Sequence, residues 1–98
     1  MAQGQPAGGQ VSQPHIVMYT TGWCPYCQRV RELFARHRLE FEEIDIEANP
    51  ARRAEMQARS GRNTVPQIFI GTTHVGGCDD IHALDQAGKL DPLLKECT

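Results

Sequence analysis

Apolar residues occur along this chain in short blocks, and the spacing inside each block indicates its conformation. Ile16, Val17, Met18 and Tyr19 are contiguous, the pattern of a strand covered on both faces, so a first strand is predicted over residues 15–20. After Thr21-Gly22, the residues Val30, Leu33 and Phe34 fall at helical spacing while Arg29, Arg31, Glu32 and Arg36 lie off that stripe. This predicts a helix from Cys24 to about His37. Ile44 and Ile46 alternate with Asp45 and Glu47, which places a second strand within 39–46, although Glu42-Glu43 interrupts the period.

Asn49-Pro50 marks a helix start, a capping side chain followed by Pro at the first helical position, and Gly61 is a suitable left-handed stop. The inward stripe of this second helix is expected to be Ala51, Ala54 and Ala58. Two β-rich runs, 65–70 and 73–75, flank Gly71-Thr72 and read as a hairpin. Gly76-Gly77 frees the backbone for a sharp turn. Asp79 or Asp80 can cap a third helix carrying Ile81 and Leu84 and ending near Gly88. Asp91-Pro92 then opens a short final helix with Leu93 and Leu94 inward. The predicted order is βαβαββαα, an α/β chain with no internal repeat.

Composition narrows the classes of function. Ninety-eight residues suffice for one domain with a modest core. A net charge of −2 supplies no basic field for nucleic acid. No apolar run approaches the roughly 18 residues of a membrane-spanning helix, and residues 1–14 lack the features of a secretory signal. The cytoplasm is therefore the expected compartment, and monomer the expected state. Residues 1–14 are rich in Gln, Gly and Pro and are expected to form a flexible tail ahead of a domain over 15–98.

Four cysteines, Cys24, Cys27, Cys78 and Cys97, would not persist as structural disulfides in a reducing compartment, which directs attention to redox or metal chemistry. Cys24 is expected at the mouth of the first helix with Cys27 one turn on, on the same face, so the two sulfurs can close a small, reversible ring. Unpaired N–H groups and the positive dipole end at a helix start favour a thiolate, which makes Cys24 the candidate nucleophile. Pro25 takes the first helical position and leaves the N–H groups of Tyr26 and Cys27 facing the sulfur. Cys27 is the candidate resolving thiol. A zinc site with His74, Cys78 and His82 is disfavoured because no second C-x-x-C follows.

Three motifs together resemble the dithiol glutaredoxin family, nearest its bacterial glutaredoxin 3 type. They are Cys24-Pro25-Tyr26-Cys27 after a strand, Thr64-Val65-Pro66 entering another, and Gly76-Gly77-Cys78-Asp79-Asp80 opening a helix. The match runs from about His15 to Lys95. The resemblance implies a thioredoxin-like fold with a central four-stranded mixed sheet flanked by helices, and a cis Val65-Pro66 peptide facing the cysteines. It further implies glutathione as reductant and co-substrate, no metal, and disulfide-bonded or glutathionylated proteins as partners.

By similarity, Thr64, Val65 and Pro66 would offer backbone groups to glutathione as a sheet edge does. Gly77, Cys78 and Asp79 at the start of the third helix would hold the γ-glutamyl carboxylate, and Asp79 or Asp80 would meet its ammonium. Arg53 falls at a position that contacts the glycyl carboxylate, and Tyr26 would flank the ligand. Many relatives carry Lys three residues before the first cysteine; here that position is Thr21, with Arg29 and Arg31 as partial substitutes. Cys78 is expected to serve packing, Cys97 to be an exposed spectator, and His37, His74 and His82 to have neither partner nor role. Two alternatives keep parts of this picture: a [2Fe-2S] carrier using Cys24 and glutathione, and a redoxin reduced by thioredoxin reductase.

Overall fold

A computed structural model describes residues 14–96. Its elements are β1 (Ile16–Thr20), α1 (Pro25–Arg36), β2 (Glu42–Asp45), α2 (Pro50–Ser60), β3 (Gln67–Ile70), β4 (Thr73–Gly76), α3 (Cys78–Gln86) and α4 (Leu90–Glu96). The predicted tail apart from Pro14, and Cys97, lie outside the described residues. The strands form one sheet in the order β2-β1-β3-β4. β1 pairs with β2 in parallel and with β3 antiparallel, and β3 pairs antiparallel with β4. This is the mixed four-stranded sheet, with βαβαββαα order, that the sequence implied.

Alternation along the two central strands divides the core into two layers. Ile16, Met18, Ile68 and Ile70 face a cluster with Val30, Leu33 and Phe34 of α1, Ile81 of α3 and Leu90 of α4. Tyr19 and Phe69 face the other way, against Ile44, Ile46 and Met56 of α2. Central strands covered on both faces must read as continuous apolar runs, which is why β1 and β3 are the most legible blocks in the chain.

Three local expectations are corrected. The buried residue of α2 is Met56, whereas Ala51, Ala54 and Ala58 are exposed; one large side chain covers what a row of small ones could not. Asn49 makes no side-chain cap to α2. The turn before it is organised by Asp45, whose Oδ1 accepts from the N–H groups of Glu47 at 2.8 Å and Ala48 at 3.1 Å. Two strands also start later than expected, β2 at Glu42 and β3 at Gln67. Leu39 and Phe41 pack against the core from an irregular approach, and Pro66 has no N–H for a ladder.

Candidate active site

Cys24 is the N-cap of α1. Its backbone is extended (φ −156°, ψ 115°) and its Sγ accepts from the Cys27 N–H at 3.4 Å, in the place where Ser or Asp oxygen commonly sits. Pro25 opens the helix, and the Gln28 N–H donates to the Cys24 carbonyl at 3.0 Å. Cys24 is partly exposed while Cys27 is buried, so the two thiols at one helix turn have opposite access. Burial, then the hydrogen bond with Cys24, pushes the Cys27 thiol up to about 12. Cys27 is thereby held as a neutral thiol near neutral pH.

Two other segments close on this helix end. Val65-Pro66 is a cis peptide bond, and the β3 ladder begins only at Gln67, leaving the Val65 backbone outside it. The Gly76-Gly77 turn abuts this loop closely: a Cβ on Gly77 would stand 3.3 Å from the Pro66 carbonyl oxygen. Gly76 has φ 119°, which an L side chain rarely adopts. From inside α3, the Asp80 carboxylate reaches back to accept from the Gly77 N–H at 2.8 Å, so it is the residue that caps the helix start. That N–H, followed by the Arg62 guanidinium at 3.2 Å, holds the Asp80 carboxyl below its ordinary range.

Between these segments lies an open cleft of about 210 Å³, lined by Tyr26, Arg62, Thr64, Val65, Pro66 and residues 77–80. Of the residues expected to hold a ligand, all but Arg53 line it. The Arg53 guanidinium instead donates to Asn63 Oδ1 at 2.9 Å, sharing that oxygen with the Gln57 amide. Arg62 was not singled out from the sequence. Its place two residues before Thr64, on the loop that carries the cis peptide, is the signal that could have found it.

The remaining candidates have definite surroundings. Cys78 is buried, with its thiol pushed up chiefly by burial and then by Asp79; its Sγ lies 3.4 Å from His82 Nδ1. Arg31, expected as a partial substitute for a lysine near Cys24, is engaged with Glu43 through its Nε at 2.9 Å. Among the described residues, Trp23 and Tyr26 are the exposed large apolar side chains, one on each side of Cys24 in sequence. The histidines do have partners: His37 meets Asp85 at 2.8 Å, His82 Nδ1 meets the Cys78 carbonyl at 2.8 Å, and His74 meets Gln67 Oε1 at 2.8 Å. Among the described residues, no group of three or more His, Cys, Asp or Glu is gathered to hold a metal, and no helix is long and apolar enough to cross a membrane.

A C-x-x-C pair capping a helix on a thioredoxin-like sheet, opposite a cis-proline, defines the class of thiol-disulfide oxidoreductases with this fold. Within it, the glutaredoxin family model matches residues 16–75. The chain is 57% identical over 81 residues to a glutaredoxin of Pseudomonas aeruginosa, covering 83% of this chain and 96% of that one. It is 53% identical over 81 residues to glutaredoxin 3 of Escherichia coli K12, covering 83% and 98%. Among solved structures, the buckwheat glutaredoxin-glutathione complex aligns with a TM-score of 0.78 at 35% identity, covering 87% of this chain and 79% of that one. The chain belongs to the glutaredoxin family and is a glutathione-dependent thiol-disulfide oxidoreductase.

Proposed function

We propose that Cys24 performs the first thiol exchange and Cys27 the second, with glutathione held in the cleft beside Tyr26. The observation that carries this reading is the convergence on one cleft of Tyr26, the Thr64-Val65-Pro66 segment and the start of α3. Glutathione is a peptide with two carboxylates and one ammonium, and the cleft offers it a matching set of groups. Val65 presents backbone to its extended cysteinyl unit. The N–H groups at Cys78 and Asp79 face the γ-glutamyl carboxylate, and Asp79 its ammonium. Arg62, which lines the cleft while Arg53 does not, is assigned the glycyl carboxylate in this reading.

With a glutathionylated protein, the Cys24 thiolate attacks the glutathione sulfur. The mixed disulfide forms on Cys24, and the protein leaves as a thiolate that takes up a proton. A second glutathione thiolate attacks the glutathionyl sulfur, releasing oxidised glutathione and restoring Cys24. With a protein disulfide, Cys24 attacks one substrate sulfur, and Cys27 then attacks Cys24. The Cys27 proton ends on the departing substrate thiolate, and two glutathione molecules reduce the resulting Cys24-Cys27 disulfide. Such chemistry belongs in a reducing compartment such as the cytoplasm.

The test is turnover of a glutathionylated peptide and of a protein disulfide with two electron sources, glutathione with its reductase and thioredoxin reductase alone. Turnover with glutathione is expected for both substrates. Turnover with thioredoxin reductase alone would reassign the reductant. A coloured protein with visible cluster absorption after anaerobic reconstitution, without peptide turnover, would replace the redox reading by cluster binding.

A further inference from the structure

Gln67 is fully buried, on a strand face whose next inward residue is Phe69 and whose cross-strand partner is Tyr19. A side-chain amide in such a layer is tolerated when both its ends are paired, and an apolar side chain of the same size would pack there without that requirement. Both ends of Gln67 are paired. Its Nε2 donates to Thr64 Oγ1 at 3.1 Å, reaching back over Val65-Pro66 to the residue just before them. Its Oε1 faces His74 Nε2 at 2.8 Å. An amide oxygen only accepts, so the imidazole must carry its hydrogen on Nε2 and donate.

His74 is itself fixed. It stands opposite Phe69 in the β3-β4 ladder, and the two rings stack with centroids 4.8 Å apart at 29°. The series His74, Gln67, Thr64 thus runs from a stacked ring on the edge strand, through a buried amide, to an exposed threonine on the wall of the cleft. Gln67 and Thr64 bracket Val65 and Pro66, so the hydrogen bond between them closes over the dipeptide.

We infer that His74 is a positioning residue for the glutathione cleft, acting through Gln67 on Thr64 to fix the Val65-Pro66 docking edge. The inference rests on the reading of that edge as the glutathione subsite. Removal of the imidazole donor leaves Gln67 Oε1 buried without a partner, so the amide loses its one fixed orientation and its hold on Thr64 loosens. The edge contacts the bound peptide before and during sulfur exchange alike, so the loss falls on KM and leaves kcat nearly untouched.

The experiment compares wild type, His74→Phe, Gln67→Met and the double variant with a glutathionylated peptide as substrate and glutathione as reductant. Phe retains the stack on Phe69, and Met retains the volume of Gln. Each single variant is expected to raise KM for the peptide by roughly five- to tenfold, with kcat within about twofold. The double variant should be no worse than Gln67→Met alone, because the groups act in series. Amide resonances of Thr64 and Val65 should shift in His74→Phe without any ligand. Unchanged KM with a lowered Tm would reduce His74 to a structural residue, and additive KM effects would break the series; either overturns the inference. If wild type shows no turnover with glutathione, the subsite reading fails and takes the docking role with it. The amide shifts then report separately whether the His74 to Thr64 linkage exists.

Discussion

The Cys27 N–H points at the Cys24 sulfur across 3.4 Å, while the Cys27 thiol itself is buried in the same helix turn. One residue therefore serves two opposed purposes. Its backbone donates a hydrogen bond to the partly exposed sulfur, and burial keeps its own side chain a neutral thiol. Once Cys24 is in a mixed disulfide, its sulfur is no longer the same partner for the Cys27 thiol, and one cause of the raised Cys27 value changes.

The two cysteines should separate cleanly by substrate. Cys24→Ser is expected to bring both deglutathionylation and protein-disulfide reduction to background, because a serine hydroxyl is a far weaker nucleophile than a thiolate. Cys27→Ser should retain deglutathionylation and lose protein-disulfide reduction. Full activity in Cys24→Ser, or loss of deglutathionylation in Cys27→Ser, would contradict the assigned order of attack.

Cys27 also predicts a pH dependence of stability. Its folded value of about 12 lies above the ordinary 9.0, so the unfolded chain releases the proton first as pH rises. The stabilisation of the reduced protein is complete below about pH 9 and is lost as pH climbs toward 12, by up to ~1.4 kcal/mol per pH unit. Denaturant titrations of the reduced protein at pH 8, 9.5 and 11 should show this decline, and Cys27→Ala should show less of it. Equal declines in the two proteins would remove Cys27 as the cause.

Arg62 and Arg53 make different predictions for glutathione. Arg62 lines the cleft, where it pairs with Asp80, whereas Arg53 lies outside the cleft lining and is held by Asn63. Arg62→Ala should raise KM for a glutathionylated peptide about three- to tenfold, in line with loss of one charged hydrogen bond at a partly exposed site. Arg53→Ala should change it by less than about twofold. The reverse order of effects in steady-state kinetics would return the carboxylate contact to Arg53.

The turn before α3 should be the least tolerant part of the cleft. A Cβ on Gly76 would stand 2.7 Å from the Asp80 Cγ, at a backbone φ of 119°. Gly76→Ala is therefore expected to cost on the order of 1–3 kcal/mol, measurable as a drop in Tm. Asp80→Asn should cost less, because its carboxylate is half exposed. Its folded carboxyl lies below the ordinary 3.8; the advantage of wild type over Asp80→Asn is therefore present above about pH 4 and fades as pH falls through the lowered value. An Asp80→Asn penalty that persists undiminished at pH 2 would assign the effect to packing instead of charge.

Much of the architecture was written in local patterns. A four-residue apolar block reads as a strand covered on both faces, and β1 is that strand. Cys24-Pro25 announced a helix start through the missing N–H of proline, and Gly61 does stop α2 in the left-handed conformation at φ 72°. These features depend on neighbours in the chain, and residues 16–36, Pro50 and Gly61 carried them without help from elsewhere. The alanines of α2 misled because three small apolar residues at helical spacing resemble an inward face, whereas depth of burial is decided by which face meets Phe69 and Ile44, and that face presents Met56.

Cys24 and Cys27 were legible as a reactive pair because helix geometry alone sets their spacing and their relation to the dipole. The surroundings that distinguish them were not. The Asp80 cap of Gly77 spans three residues and is local, whereas that Cys27 is buried and that Arg62 takes a place at the cleft facing Asp80, 18 residues on, depend on contacts between distant segments. The same holds for His74, which reads in the sequence as a histidine without a partner. Only when β4 is laid against β3 does its imidazole come within reach of Gln67, and register across a sheet is a property of the folded chain, not of any window along it.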